Sequence, residues 1–579
     1  MSAKSNFAFR IRIIAGIILL IALVLLVRLY FLQVVHGKEY RLKAESQYVQ
    51  QSTNQIDRGT IFFTSRDGSL ISAATIAAGN TIVINPSRLG DPESVYRALK
   101  KILPDLDESV FLEKARKKDS VYAEIAKQVT PEVGVAISAL KITGVQVLAS
   151  HWRFYPGRVL AAQSIGFLGF GADGKSVAGQ YGLERYYNGA LSRSDGGLYV
   201  NFFADLFTNI RAKFSPDTVE PGADLVTSIE PSVQQFLEDA LKKYDESWNS
   251  DTVGGIIMDP KTGAIIAMAS RPGFDLNDFK NADPNAFANP LVERVYEFGS
   301  TMKPITMAAG IDSGAVTPTT TYNDKGFLIL DGLRINNYDH KARGVVPMQE
   351  VLNQSLNTGV SFVVARMGTA KFAGYLEKFG IASETGIDLP NEASPLVSNL
   401  KSPRAVEYAT ASFGQGIAIS PIAMTRALAT LANGGVVPAP HVGVELRYGG
   451  GITKKLGWSP PMQAISKESD EAITRMLVTV VDDALQGGKI KMADYSIAAK
   501  TGTAQVARPD AREYYTDRYL HSFFGYFPAY NPKFLVFFFA VYPKGAQYAS
   551  ETWTQPFMNT VHFLINYYEI PPDRAQTGG

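Results

Sequence analysis

Ser300 and Lys303 stand three residues apart in Tyr296-Glu297-Phe298-Gly299-Ser300-Thr301-Met302-Lys303-Pro304. At that spacing a hydroxyl and an amine share one face of a helix without help from elsewhere in the chain. The apolar run over 305–311 predicts that helix, and Pro304 is tolerated because the N–H it lacks would find no partner in the first turn. The positive end of a helix beside the hydroxyl suits a developing alkoxide or oxyanion. A serine next to an amine that can be made neutral is a nucleophile and base for acyl transfer through an ester.

The spacing alone is common: Ser398-Asn399-Leu400-Lys401 has it too, but Ser402-Pro403 follows and opens no apolar helix. Two further motifs come after Ser300 in order. Ser355-Leu356-Asn357 falls in a stretch predicted helical over 348–367, and Lys500-Thr501-Gly502-Thr503 falls in a strand predicted over 495–506. The look-alikes Ser52-Thr53-Asn54, Ser247-Trp248-Asn249 and Lys261-Thr262-Gly263 all precede Ser300, and the last reads as a hairpin turn. Burial and a second cation, Lys500, would both push the Lys303 amine toward its neutral form.

The elements that must position these groups divide the chain. Residues 13–35 are predominantly apolar with a single charge, Arg28, and long enough for a membrane-crossing helix of about 20 residues. Lys4, Arg10 and Arg12 precede this run, so residues 1–12 are expected in the cytoplasm and the remainder outside. No A-x-A-like site follows, which favours an uncleaved anchor over a signal peptide. Residues 36–220 read as a separate module, with a strand at 80–85, helices at 92–101 and 109–118, and a turn at Gly169-Phe170-Gly171-Ala172-Asp173-Gly174. From 221 to 572 strands are expected at 224–229, 254–258, 264–269, 522–528 and 533–542, with helices at 231–244, 421–433 and 555–568. A sheet drawn from both ends of a region with helices inserted between them is an α+β architecture. Residues 573–579 read as a frayed tail.

Lys and Arg total 57 against 55 Asp and Glu, a net of +2, which points to no nucleic-acid partner. There are no cysteines, which rules out disulfides and thiolate chemistry, and the six histidines show no ligand spacing. Neither a metal nor a cofactor is expected.

The triple Ser300/Lys303, Ser355/Asn357 and Lys500/Thr501/Gly502 matches the motif set of penicillin-binding proteins and class A β-lactamases. The chain resembles a class B penicillin-binding protein, a membrane-anchored D,D-transpeptidase of peptidoglycan synthesis, from the anchor almost to the end. Ser412-Phe413-Gly414-Gln415-Gly416, Leu431-Ala432-Asn433-Gly434-Gly435 and Ala499-Lys500-Thr501-Gly502-Thr503-Ala504-Gln505 carry the likeness around the motifs. Arg58-Gly59-Thr60-Ile61, Arg153-Phe154-Tyr155-Pro156 and Gly182-Leu183-Glu184 carry it in the N-terminal module. Phe298 where a proline is usual, Ser65 in place of an aspartate and Ala499 in place of a glycine depart from the pattern without touching a group that does chemistry.

The resemblance implies a penicillin-binding, serine β-lactamase-like transpeptidase domain, an antiparallel sheet with helices, on an elongated α/β pedestal with one transmembrane helix. It implies that Ser300 attacks the D-Ala–D-Ala carbonyl of a stem peptide, that Lys303 takes its proton and that Ser355 shuttles a proton. Asn357 would orient Lys303 and bind the peptide amide. Lys500, Thr501 and Thr503 would hold the terminal carboxylate, and Gly502 would admit the substrate strand. Arg58 and Glu184 would tie segments together. β-Lactams would acylate Ser300 in a catalytic domain held outside the cytoplasmic membrane. SxN with KTGT is more similar to the division branch than to the elongation branch, which implies a SEDS-type glycosyltransferase and other division membrane proteins as partners. A β-lactamase or carboxypeptidase, or a β-lactam-sensing receptor, remains the alternative.

Overall fold

The computed structural model describes residue 28 and residues 57–170, 177–193, 222–508 and 513–574. Apart from Arg28 the expected anchor lies outside these residues, as do the look-alike at Ser52, most of the turn at 169–174 and residues 575–579 of the tail. Among the described residues no helix is long and apolar enough to cross a membrane. Contacts within the described chain separate residues 76–152 from a larger unit formed by 57–75 and 153–574.

In the smaller unit, the end of the strand Leu70–Ile84 runs antiparallel to Ala123–Val129, with Asn80 opposite Val129 and Ile84 opposite Ala123. Three helices, Pro92–Lys100, Glu108–Ala115 and Pro131–Ala139, each begin where a side chain accepts an otherwise unpaired N–H: Asp91 from Ser94, Asp107 from Val110 and Thr130 from Val133. Ile82, Ile84, Leu99, Phe111 and Ile137 close their own core.

The larger unit is built on a five-stranded antiparallel sheet in the order Ala498–Ala507, Tyr514–Phe527, Phe534–Val541, Thr252–Met258, Ile265–Arg271. Both ends of the region contribute, as the strand pattern predicts. The strand Phe534–Val541 lies at its centre and shows why: Phe534, Val536, Phe538 and Ala540 join one apolar cluster, and Leu535, Phe537 and Phe539 join another. A two-residue period that is apolar on both faces demands cover on both sides.

On one face lie the helices Pro231–Trp248 and Thr554–Tyr568, through Val233, Leu237, Leu241, Phe557 and Val561. There Trp553 stacks on Tyr244 with centroids 3.8 Å apart and on Phe538 at 4.8 Å. On the other face lies the apolar helix Lys303–Asp312, where Ile305, Met307, Ala308 and Ala309 are fully buried. Burying each large side chain contributes about 1.5–3 kcal/mol, so two loaded faces hold the sheet rigid beneath the site.

The larger unit begins with a short strand, Ile61–Thr64, antiparallel to Leu70 and its neighbours and parallel to Asp224–Thr227. Residues 57–75 and 153–193 are tied to one another by buried charge, and reach the residues after 222 through bonds such as Thr60 N to Asp224 Oδ1 at 2.7 Å and Tyr187 OH to Asp388 Oδ2 at 2.7 Å. Arg58 Nε donates to Glu184 Oε2 at 2.6 Å, and Arg153 Nε donates to Glu184 Oε1 at 2.6 Å. Arg58 also donates to Asn188 and Ser192, and Arg153 to Gly59 O. Glu184 is fully buried. The tie expected between Arg58 and Glu184 is present, and Arg153 completes it. Glu184→Ala leaves two guanidinium groups without their counter-ion and is expected to lower stability by about 3–5 kcal/mol, read as a lower urea midpoint. A wild-type midpoint would show that the tie carries no such weight. At the other end, Asp573 and Arg574, placed in the tail by the sequence pattern, are held: Asp573 accepts from Ser496 N and Arg574 donates to Asp482.

Candidate active site

Gly299–Met302 forms a 3₁₀ turn that runs directly into the helix Lys303–Asp312. In a 3₁₀ turn residues i and i+3 eclipse, so Ser300 and Lys303 are stacked more directly than an α-helix would place them. Gly299 has φ +61°, and a Cβ there would stand 2.7 Å from Thr503 O. The serine turn thus lies against the edge strand Ala498–Ala507. Phe298, where proline is usual in the resemblance, is buried and meets Phe537 edge-on at 5.2 Å. Its carbonyl accepts from Ser522 Oγ at 2.9 Å and from Thr301 Oγ1 at 3.1 Å.

Gly502 serves this same approach. A Cβ on it would come 2.6 Å from Phe298 O and 2.9 Å from Thr301 N, so the absent side chain admits the serine turn. The expectation that Gly502 makes room for a substrate strand is corrected accordingly: Gly502 faces the protein, while its neighbours Thr501 and Thr503 line the cleft.

Lys303 is fully buried, and its Nζ donates to Ser355 O at 2.5 Å and Ser355 Oγ at 3.1 Å. Ser355 is not inside a helix, as the sequence pattern suggested. The helices are Met348–Asn353 and Asn357–Met367, and Ser355 between them has φ +54°. The left-handed conformation is costly for a residue with a Cβ, and it turns both oxygens of Ser355 onto the lysine. Burial, and then the charge of Lys500, hold the Lys303 pKa well below the ordinary lysine value. Lys500, also buried, is pushed down to about 8 by desolvation.

Asn357 opens its helix, and its Nδ2 donates to Asn336 O at 2.8 Å; the bonds of Lys303 run to Ser355 instead of Asn357. Asn336 ends the hairpin Phe327–Leu330/Leu333–Asn336. A buried carboxylate, Asp324, anchors this corner by accepting from Asn337 Nδ2 at 3.0 Å and Thr358 Oγ1 at 2.8 Å. Thr503 Oγ1 accepts from Ala549 N at 3.1 Å, so the hydroxyl proton is left to point into the cleft. His521, opposite Thr503 in the ladder, holds the same segment through Thr552 Oγ1 and Gln547 O, and burial pushes its pKa down to about 4, which keeps it neutral.

Ser300, Ser355, Asn357, Lys500, Thr501 and Thr503 line one cleft of 780 Å³. The look-alikes do not join it. Ser398 and Lys401 are exposed on a separate 3₁₀ turn, Ser247 sits near the end of the helix Pro231–Trp248, and Lys261 lies exposed in the turn between two sheet strands. The sequence reading passed over Ser522, Asp324, Asn336 and His521, which position the motif residues from strands and turns distant in the chain. No spacing signal marks them, because their partners lie across the fold.

A serine on a tight turn, a buried lysine behind it and a second lysine on the edge strand of an antiparallel sheet define the class of serine acyltransferases that penicillins acylate. The sequence matches the penicillin binding protein transpeptidase domain over residues 253–562. The chain belongs to the penicillin-binding protein transpeptidase family. Among its relatives, stage V sporulation protein D of Bacillus subtilis is 28% identical over 573 residues, spanning 96% of this chain and 85% of that protein. The peptidoglycan D,D-transpeptidase FtsI of Escherichia coli is 26% identical over 589 residues, spanning 99% and 94%. The fold is similar to that of penicillin-binding protein 3 of Mycobacterium tuberculosis complexed with aztreonam, with a TM-score of 0.68 at 21% identity over 90% of this chain and 98% of that one.

Proposed function

We propose that this protein is a peptidoglycan D,D-transpeptidase held by one membrane-spanning helix (13–35), with its N-terminus in the cytoplasm and its catalytic unit outside, cross-linking stem peptides at the division septum. The observation that carries the chemistry is Lys303, fully buried three residues from Ser300 and bonded to Ser355, where burial and then the charge of Lys500 hold its pKa well below the ordinary lysine value.

Neutral Lys303 takes the proton of Ser300 Oγ as that oxygen attacks the carbonyl between the two terminal D-alanines. The oxyanion is received by the N–H groups of Ser300 and Thr503, each worth on the order of 3 kcal/mol in the transition state. Ser355, bonded to Lys303, passes a proton to the departing D-alanine nitrogen, and the C–N bond breaks. An amine of a neighbouring stem then attacks the ester, forming the cross-link and freeing Ser300. Lys500 and the Thr501 and Thr503 hydroxyls hold the terminal carboxylate; the N–H of Ala549 already occupies a lone pair of Thr503, which directs its proton outward. Thr503 and Ser300 are adjacent because Gly299 and Gly502 let the two backbones meet. The domain arrangement of anchor, N-terminal module and transpeptidase region suits an enzyme held at a growing wall beside a SEDS-type glycosyltransferase and other division membrane proteins.

The test is the full chain in detergent with a D-Ala–D-Ala donor, an acceptor amine and a penicillin. Cross-linked product and a long-lived penicillin adduct on Ser300 are expected. Rapid penicillin turnover with hydrolysis as the only outcome would instead identify a β-lactamase or carboxypeptidase. A fluorescent fusion gathering at the septum is expected, and an even sidewall distribution would move the protein to the elongation branch.

A further inference from the structure

Glu297 stands three residues before Ser300, and its carboxylate has no part in the steps above. It is half-buried, and both of its oxygens are engaged by groups from distant parts of the chain. Oε1 accepts from Gly416 N at 3.1 Å, and Oε2 accepts from the Tyr514 hydroxyl at 2.9 Å. Those partners belong to two walls of the cleft. Gly416 follows Phe413 and Gln415, which line it, and Tyr514 opens the strand paired with Ala498–Ala507, whose Gln505 lines it as well. Burial pushes the Glu297 carboxyl up, while burial and the Glu297 charge push the Tyr514 hydroxyl up, so the tyrosine keeps its proton and donates it.

The two walls depend on this carboxylate to different degrees. The serine segment and residues 414–419 are already joined through the main chain, by Gly299 N to Gly414 O at 3.2 Å and by the exchange of bonds between Tyr296 and Ile419. The far end of the edge strand is held less firmly. Its register against Tyr514–Phe527 slips between Gln505 and Ala507, and such a bulge interrupts the ladder and bends the strand. Beyond it the bond from Tyr514 reaches the serine segment. Gln505 Nε2 donates to Tyr515 O at 3.3 Å, so the placement of Tyr514 carries over to a residue of the cleft wall. We propose that Glu297 is a positioning residue: by holding Gly416 and Tyr514 at once, it fixes the gap between the Gln415 wall and the Gln505 end of the edge strand. Ser300 keeps its own place without this clasp, through Gly299 N and through Phe298 O, which accepts from Ser522 and Thr301. The clasp therefore acts on binding before acylation and leaves the chemical step alone. The inference rests on the transpeptidase reading only in taking Ser300 as the acylated residue.

Rapid mixing of the full chain in detergent with benzylpenicillin separates the dissociation constant of the non-covalent complex from the limiting acylation rate. Tyr514→Phe and Glu297→Leu are each expected to raise that constant about tenfold, the loss of a charge-assisted hydrogen bond, at a wild-type limiting rate. The double variant should be no worse than Glu297→Leu alone, because the bond is shared. Glu297→Gln can accept from Gly416 N and donate to the Tyr514 oxygen, and should restore most of the affinity. The gap itself can be measured without any ligand, because the chain has no cysteine and takes nitroxide labels through Lys401→Cys and Glu513→Cys. Lys401 is exposed on the turn whose Asn399 donates to Gly416 O, and Glu513 is exposed beside Tyr514. A narrow distance distribution that broadens in Tyr514→Phe is expected. An unchanged distribution, or a lower limiting rate at an unchanged dissociation constant, overturns the clasp. If the wild type takes no benzylpenicillin at all, the transpeptidase reading falls and the distance measurement alone decides the clasp.

Discussion

Ser300→Ala is expected to abolish covalent labelling by a fluorescent penicillin and formation of any acyl-enzyme with donor peptide. Among the described residues no other hydroxyl stands on a turn where a buried amine and an edge-strand lysine converge. Ser355 has its hydroxyl on Lys303 too, but it is held in a left-handed conformation between two helices and its oxygens are engaged by that amine. The substitution removes one partly buried oxygen from the cleft wall, so the unfolding midpoint should stay at the wild-type value. Loss of labelling with an intact fold is therefore a chemical result. Stoichiometric labelling of the variant would place the nucleophile elsewhere. Ser398→Ala is the matched control: it removes the other serine of an SxxK spacing from an exposed turn and should leave labelling as it was.

Lys303→Met should be the next most damaging change, lowering the acylation rate constant by about 10²- to 10⁴-fold, the range for a positioned base. Methionine fills nearly the same buried volume without an ionisable group. The lost bonds to Ser355 and the relieved burial of an amine oppose one another, which should leave stability within about 1 kcal/mol. If Lys303→Met retains wild-type acylation, the base is another group.

The wild-type pH profile follows from the two lysines. As pH falls, Lys303 takes up a proton, the base is lost and acylation slows; its depressed pKa places this limb well below the ordinary lysine range. As pH rises through about 8, Lys500 loses the charge that holds the terminal carboxylate, and the rate constant falls again. Because the two groups interact, both limbs belong to the pair. A donor whose terminal carboxylate is replaced by an amide should lose the upper limb and keep the lower one, and an unchanged upper limb would detach Lys500 from the carboxylate.

Much of this site was legible as order along the chain. Ser300/Lys303, Ser355/Asn357 and Lys500/Thr501/Gly502/Thr503 are local motifs, each set by spacing within one turn or one strand, and the fold gathers all of them at one place. The look-alike at Ser398 was separable because no apolar helix follows it. The break at Ser355 was not legible: residues 351–367 read as one helix, and only the pull of Lys303 Nζ and the anchoring of Asn357 and Thr358 by Asn336, Asn337 and Asp324 account for the kink. The role of Gly502 was read toward the wrong side of its strand, since a glycine carries no pattern to say which face it opens.

The sequence by itself determined the chemistry and the layers. It placed a serine and a lysine one turn apart at the head of an apolar helix, and a strand, Phe534–Val541, so apolar on both faces that helices had to cover it twice. Only the tertiary structure decided how reactive the lysine is, because desolvation and the approach of Lys500 come from packing between segments almost two hundred residues apart. It also decided that Glu297 is held by Tyr514, a residue 217 positions further on. Charge along a chain can be counted, but whether a charge is free depends on which partners the fold brings within reach.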